Sequence, residues 1–141
     1  MNYSNQGIAL TKQFESCSLT AYKDGGGVWT IGYGHTKGVK QGQTCTQQQA
    51  DAWLAEDVAS AVSAVNSMVR VPLTQGQFDA LVDFAYNCGN EALQYSTLLR
   101  KLNGRDYSGA QEQFARWNQD NGVVVAGLTR RRAAEAKLFG G

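Results

Sequence analysis

Proline and histidine each occur once in the 141-residue chain, at Pro72 and His35. No metal or cofactor is expected. The three cysteines, Cys17, Cys45 and Cys88, are odd in number and contain no C-x-x-C pair. That argues against a zinc site and for free thiols rather than a disulfide framework. Formal net charge is only +1, which argues against the broad basic surface of a nucleic-acid binder. No apolar run approaches the ~20 residues of a membrane-spanning helix, so stable membrane insertion is not expected. The segment Met1–Gly7 has neither a basic nor an apolar stretch. No secretory signal is expected there, and the chain should stay in the cytoplasm where it is made.

Glycine, by contrast, is plentiful: sixteen in all, many of them between Gly25 and Gly42. The stretch Glu15–Thr36, ESCSLTAYKDGGGVWTIGYGHT, sets one carboxylate, Glu15, at the end of a helical segment. A second, Asp24, opens the glycine turn, and a hydroxyl, Thr30, follows it. A loop of Gly25–Trp29 would bring Asp24 and Thr30 opposite each other on one face of a hairpin, able to hold a water between them. Gly32 and Gly34 alternate in the second strand. Glycines weaken a strand unless the backbone must approach something closely, so a ligand or another segment is expected beside them.

Residues 3–15 form an amphipathic opening helix, with Ser4 or Asn5 as its cap. LTAYK and VWTIGYG are strands, and 37–45 a loop. Thr46 and Gln49 fit a capping box that opens a helix running to about Val69, with Trp53, Leu54, Val58, Val62, Val65 and Met68 at helical spacing. Pro72 stops it; Thr74 and Gln77 repeat the capping pattern, and Gly89 ends the second helix. Ser96–Leu102, Tyr107–Trp117 and about Thr129–Phe139 follow as helices. Strands in front and helices behind make an α+β fold.

Two carboxylates and a positioned water are what hydrolysis of a glycosidic bond requires. One acid protonates the leaving oxygen, and the other group activates water or attacks the sugar. Glu15, with Phe14 and Leu19 near it in sequence, is the expected acid, and Asp24, beside turn amides, the group that stays ionised.

Glu15, eight residues, Asp24, five residues, then Thr30 followed by IGYGHT resembles the active-site signature of the phage-type lysozymes, the endolysins that cut bacterial peptidoglycan. The resemblance continues through AEDV in the long helix, VPLTQGQFDALVDFAYNCG, STLLRKLN and GLTRRRAAE. It implies a single lysozyme-like domain over residues 1–141. A small β-hairpin lobe (about 16–45) and a larger helical lobe (about 72–141 with the N-terminal helix) would be joined by a long helix (about 46–69), with the cleft between the lobes. It implies hydrolysis of the β-1,4 bond between N-acetylmuramic acid and N-acetylglucosamine, with Glu15 as general acid and Asp24 and Thr30 orienting water, an arrangement suited to inversion. It further implies that His35 is structural, paired with Asp57 of the long helix. Tyr86 and Asn87 would line the sugar site with Gly32 and Gly34, and Arg131 would lie near the catalytic glutamate. Arg130 and Arg132 are expected to be solvated or near peptide carboxylates of the wall.

The rival readings are a lytic transglycosylase, which needs only one acid, and a non-catalytic wall-binding module, which needs neither. As an endolysin the chain would act as a monomer on glycan strands. It would reach the wall from the host cytoplasm once a holin-type partner had permeabilised the membrane.

Overall fold

The computed structural model describes all residues, Met1–Gly141. The chain divides into two compact units, Thr11–Ala59 and the discontinuous pair Met1–Leu10 with Ser60–Gly141. Two helices contribute residues to both: α1 (Asn5–Phe14) and α2 (Gln47–Met68). No helix is long and apolar enough to cross a membrane.

The smaller unit is built on a hairpin of β1 (Ser18–Lys23) and β2 (Trp29–Gly32). Lys23 pairs with Trp29 and Tyr22 with Thr30, and the ladder closes with Ser18 opposite Gly32. Four steps along β1 therefore match two along β2, a bulge that bends β1. The segment expected to be a loop up to Cys45 ends instead in antiparallel pairing. Ala21 N–H donates to the Gln43 carbonyl and Cys45 N–H to that of Leu19, with Thr20 opposite Thr44. Ile31, Ala50, Leu54 and Val58 are buried and form the apolar interior of this unit.

At the start of α2 the capping box is complete: Gln49 N–H donates to Thr46 Oγ1 at 3.1 Å, and Thr46 N–H to Gln49 Oε1 at 2.9 Å. Both bonds are local in sequence, so the residues alone specify them.

The larger unit centres on α3 (Gln75–Cys88), capped by Thr74 with Gln77 reaching back and stopped by Gly89. Phe78, Leu81, Val82 and Phe84 of α3 are fully buried. Around it stand α4 (Asn90–Gln94), α5 (Thr97–Asn103), α6 (Tyr107–Gln113) and α7 (Ala126–Gly140). Phe84 meets Phe114 and Trp117 edge-on, with ring centroids 5.7 and 5.3 Å apart. Removing a buried aromatic of this kind costs about 3–5 kcal/mol. α7 packs so closely on α3 that a Cβ at Gly76 would stand 2.6 Å from the Leu138 carbonyl oxygen.

The N-terminal segment is fastened to this unit by Asp79, which is wholly buried. Its carboxylate accepts from Ser4 N–H (3.2 Å), from Gln75 Nε2 (2.8 Å) and from the Ser4 hydroxyl. Ser4 Oγ in turn accepts from Gly7 N–H, so Ser4 is the cap of α1.

Several boundaries differ from the sequence expectation: α1 covers only Asn5–Phe14, β2 ends at Gly32 rather than Gly34, and α4 was not expected. The helix expected over Tyr107–Trp117 stops at Gln113 and tightens into a 3-10 turn, Phe114–Arg116. The last helix begins one turn early, at Ala126. Between them a small hairpin, β3 (Gln119–Asp120) and β4 (Val123–Val124), was not expected.

Candidate active site

Glu15 directly follows α1, its N–H still donating to the Thr11 carbonyl at 2.8 Å, and its side chain is half-buried. Gly34 lies close to it. A Cβ built there would stand 3.6 Å from Glu15 Oε2; Gly34, expected in the second strand, lies instead in the turn after β2, and it is this turn backbone that lies against the carboxylate. Gly34 has φ +84° and Gly32 φ +64°, backbone states open to glycine and costly for other residues. At Gly32 a Cβ would also press on Ala50 at 3.3 Å. The close approach expected of these two glycines is made by protein, the Glu15 carboxylate at one and α2 at the other.

The hairpin register corrects the expected geometry of Asp24 and Thr30. The turn is tighter than Gly25–Trp29: Asp24 N–H donates to the Val28 carbonyl, and Trp29 already pairs with Lys23. Thr30 therefore faces Tyr22, and Asp24 is its diagonal neighbour on the same face. Such neighbours stand about 7–8 Å apart at their backbones, within reach of side chains. Asp24 Oδ1 is held by the turn, accepting from Gly26 N–H and Val28 N–H at 2.9 Å each. Thr30, 4% exposed, donates its hydroxyl to the Val28 carbonyl at 3.0 Å. Its lone pairs remain available as acceptors.

His35 lies in the same unit, with Nδ1 2.9 Å from Asp57 Oδ2. Its ring stacks on Trp53 with centroids 4.5 Å apart and planes 3° from parallel. Ile31 and His35 exchange two backbone hydrogen bonds, so the end of the hairpin is tied through one imidazole to two residues of α2. Sequence reasoning placed Trp53 in the apolar face of its helix and missed this stack.

Tyr86, Asn87 and Arg131 belong to the larger unit. Tyr86 is half-buried on α3, against the helical core. Asn87 Oδ1 accepts from Arg132 Nη2 at 2.8 Å, which fixes the amide orientation. Arg131 is buried and makes a two-pronged pair with Asp83, Nε to Oδ2 and Nη2 to Oδ1, both at 2.9 Å. Arg132 is a correction to the expected solvated arginine, because it is fully buried. It bonds Glu135 Oε2 at 2.8 Å and Cys88 Sγ at 2.6 Å, and sits over the Phe84 ring. Its Nε also lies 2.6 Å from Glu135 Oε1, without the N–H aimed at that oxygen. Burial, and then the neighbouring Asp83, push the Glu135 carboxyl well above its usual range, against the pull of Arg132. Burial likewise pushes the Cys88 thiol up, with Arg132 opposing.

Asn87 and Arg132 open onto a groove of about 560 Å³, also lined by Trp117, Gln119, Val125 and Leu128. The residues around β3 and β4 thus add lining that sequence reasoning did not foresee. The signal was present in Asn121-Gly122, the favoured centre of a two-residue hairpin turn. Both residues have positive φ, 51° and 79°. No group of three or more metal-ligating side chains occurs in the structure.

Residues 12–135 match the family model described as Phage lysozyme. The chain is 44% identical over 143 residues to an endolysin of Acyrthosiphon pisum secondary endosymbiont phage 1, covering 99% of this chain and 98% of that one. It is 43% identical to an endolysin of Bacillus phage B103, but there it spans only 54% of the relative's length. Among solved structures, the muramidase domain of SpmX from Asticaccaulis excentricus superposes with a TM-score of 0.92 at 42% identity, covering 98% of this chain and 97% of that one.

Proposed function

We infer that this chain, which belongs to the phage lysozyme family, is an endolysin that hydrolyses the glycan of bacterial peptidoglycan. The bond is the β-1,4 link between N-acetylmuramic acid and N-acetylglucosamine. One observation carries the chemistry: the turn saturates Asp24 Oδ1 while Oδ2 is left free, one diagonal step from the Thr30 hydroxyl. Since the Thr30 hydroxyl already donates its hydrogen bond to the Val28 carbonyl, both groups face a water as acceptors. They take its two hydrogens and leave its lone pair for the sugar carbon.

Glu15 supplies the proton for the glycosidic oxygen as the C–O bond breaks. Water forms the new bond to the anomeric carbon and passes its surplus proton to Asp24. Attack by water on the face opposite the leaving group gives inversion. His35 has a positioning role: with Asp57 and Trp53 it fixes the turn after β2 in which Gly34 meets Glu15. Tyr86, Asn87 and Arg131 are proposed as substrate-binding residues, Tyr86 and Asn87 through sugar or acetamido groups. The protein acts as a monomer, needs a holin-type partner to reach the wall, and uses no cofactor.

The test is product analysis of purified peptidoglycan treated with this protein and with Glu15→Gln. Reducing ends on muramic acid, lost with the variant, are the expected result. Anhydro-muramic products would make it a transglycosylase and leave Asp24 without a role. Wall binding without cleavage by either protein would make it a binding module.

A further inference from the structure

A second groove, of about 530 Å³, lies in the larger unit and shares no lining residue with the first. Met68 and Leu99 contribute apolar lining, Arg70 and Arg100 supply two guanidiniums, and Tyr95 stands at its edge, 81% exposed. No aspartate or glutamate lines it. Lys101, beside Arg100 in sequence, has Asp106 at 3.8 Å, and Arg131 and Arg132 each have a buried acid. Arg70 and Arg100 have no such partner.

The backbone segments that carry these two residues are tied together. Arg70 N–H donates to Asn103 Oδ1 at 2.8 Å, and Asn103 Nδ2 donates to the Met68 carbonyl at 3.0 Å. One asparagine thus clamps the segment after α2 to the end of α5, the helix that carries Arg100. Two like charges over one groove repel each other, and an oxyanion relieves that repulsion. Guanidinium matches the planar, two-oxygen carboxylate in particular. A tyrosine face beside it accepts the apolar flank of a sugar or peptide.

We propose that this groove binds the peptide-stem carboxylates of peptidoglycan, as a contact separate from the catalytic residues. The proposal rests on the reading that peptidoglycan is the substrate. A second contact on the same polymer raises the local concentration of the first, which a chain of net charge +1 does not gain from overall electrostatic attraction. Wall phosphates share the oxyanion chemistry, so the experiment must separate the two sources.

Binding is measured by co-sedimentation of Glu15→Gln protein with sacculi free of phosphate polymers, before and after their carboxylates are amidated. Amidation is expected to weaken binding roughly tenfold. Arg70→Ala with Arg100→Ala, in the same background, should weaken binding to native sacculi by the same factor and show no further loss on amidated ones. The paired lysine variant should recover part of the affinity. Undiminished binding by the alanine variant would overturn the proposal. So would a loss that persists on amidated sacculi, or one seen only on walls that carry phosphate polymers. Reducing ends released by the unmodified protein from the same sacculi score the substrate reading independently.

Discussion

His35 shows what a single side chain can hold. One imidazole bonds Asp57, stacks on Trp53, and sits on a strand end closed by two backbone bonds to Ile31. His35→Ala is expected to lose about 2–3 kcal/mol of stability, from the hydrogen bond and the stacked ring together. Denaturant unfolding measures that loss; glycan cleavage per folded molecule should fall far less than with Glu15→Gln. The pairing of His35 with Asp57 was accessible only through family resemblance, because the partners lie twenty-two positions apart. The burial of Arg132 was not accessible at all. A run of three arginines looks the same in sequence whether it faces water or Glu135, and only the packing of α7 on α3 decides it.

At the scale of elements, legibility follows locality. The capping boxes at Thr46 and Thr74 involve partners three residues apart, and both helices begin where the sequence placed them. Hairpin register depends on which turn the glycines adopt, and there the expected facing of Asp24 and Thr30 became a diagonal one. That geometry separates two tasks of Asp24, since one carboxylate oxygen shapes the turn. Asp24→Asn retains an oxygen for the Gly26 and Val28 amides but loses the charge. It is expected to keep the native unfolding midpoint while kcat falls about 10²–10⁴-fold. Asp24→Ala should lose the same activity and, in addition, about 1–2 kcal/mol of stability. Equal stability of the two variants would show that the turn does not need the side chain. The small β3–β4 hairpin was legible in Asn121-Gly122, but strands of two residues each carry too short a pattern to stand out.

Across the whole molecule, the buried charges of the larger unit set a pH response. Glu135 is held protonated by burial and by Asp83 to a pH well above the ordinary carboxyl range. The native state therefore keeps a proton that the unfolded chain releases. This contribution to stability is complete below the unfolded carboxyl value and is lost as pH rises through the folded one. Glu135→Gln should flatten that part of the stability–pH profile, measured as unfolding free energy from pH 4 upward. An unchanged slope would assign the dependence to other groups. The chain order of the units has a consequence of a different kind, for synthesis on the ribosome. Thr11–Ala59 is one continuous stretch, whereas the larger unit needs Met1–Leu10 together with Ser60–Gly141. Ser4 and its buried partner Asp79 lie 75 positions apart. At about 5–20 residues per second, Ser4 waits some ~4–15 s for that carboxylate to be made. The hairpin-bearing unit can be complete while the other still lacks most of its helices, so the nascent chain carries the proposed catalytic carboxylates before most of the larger unit has been made.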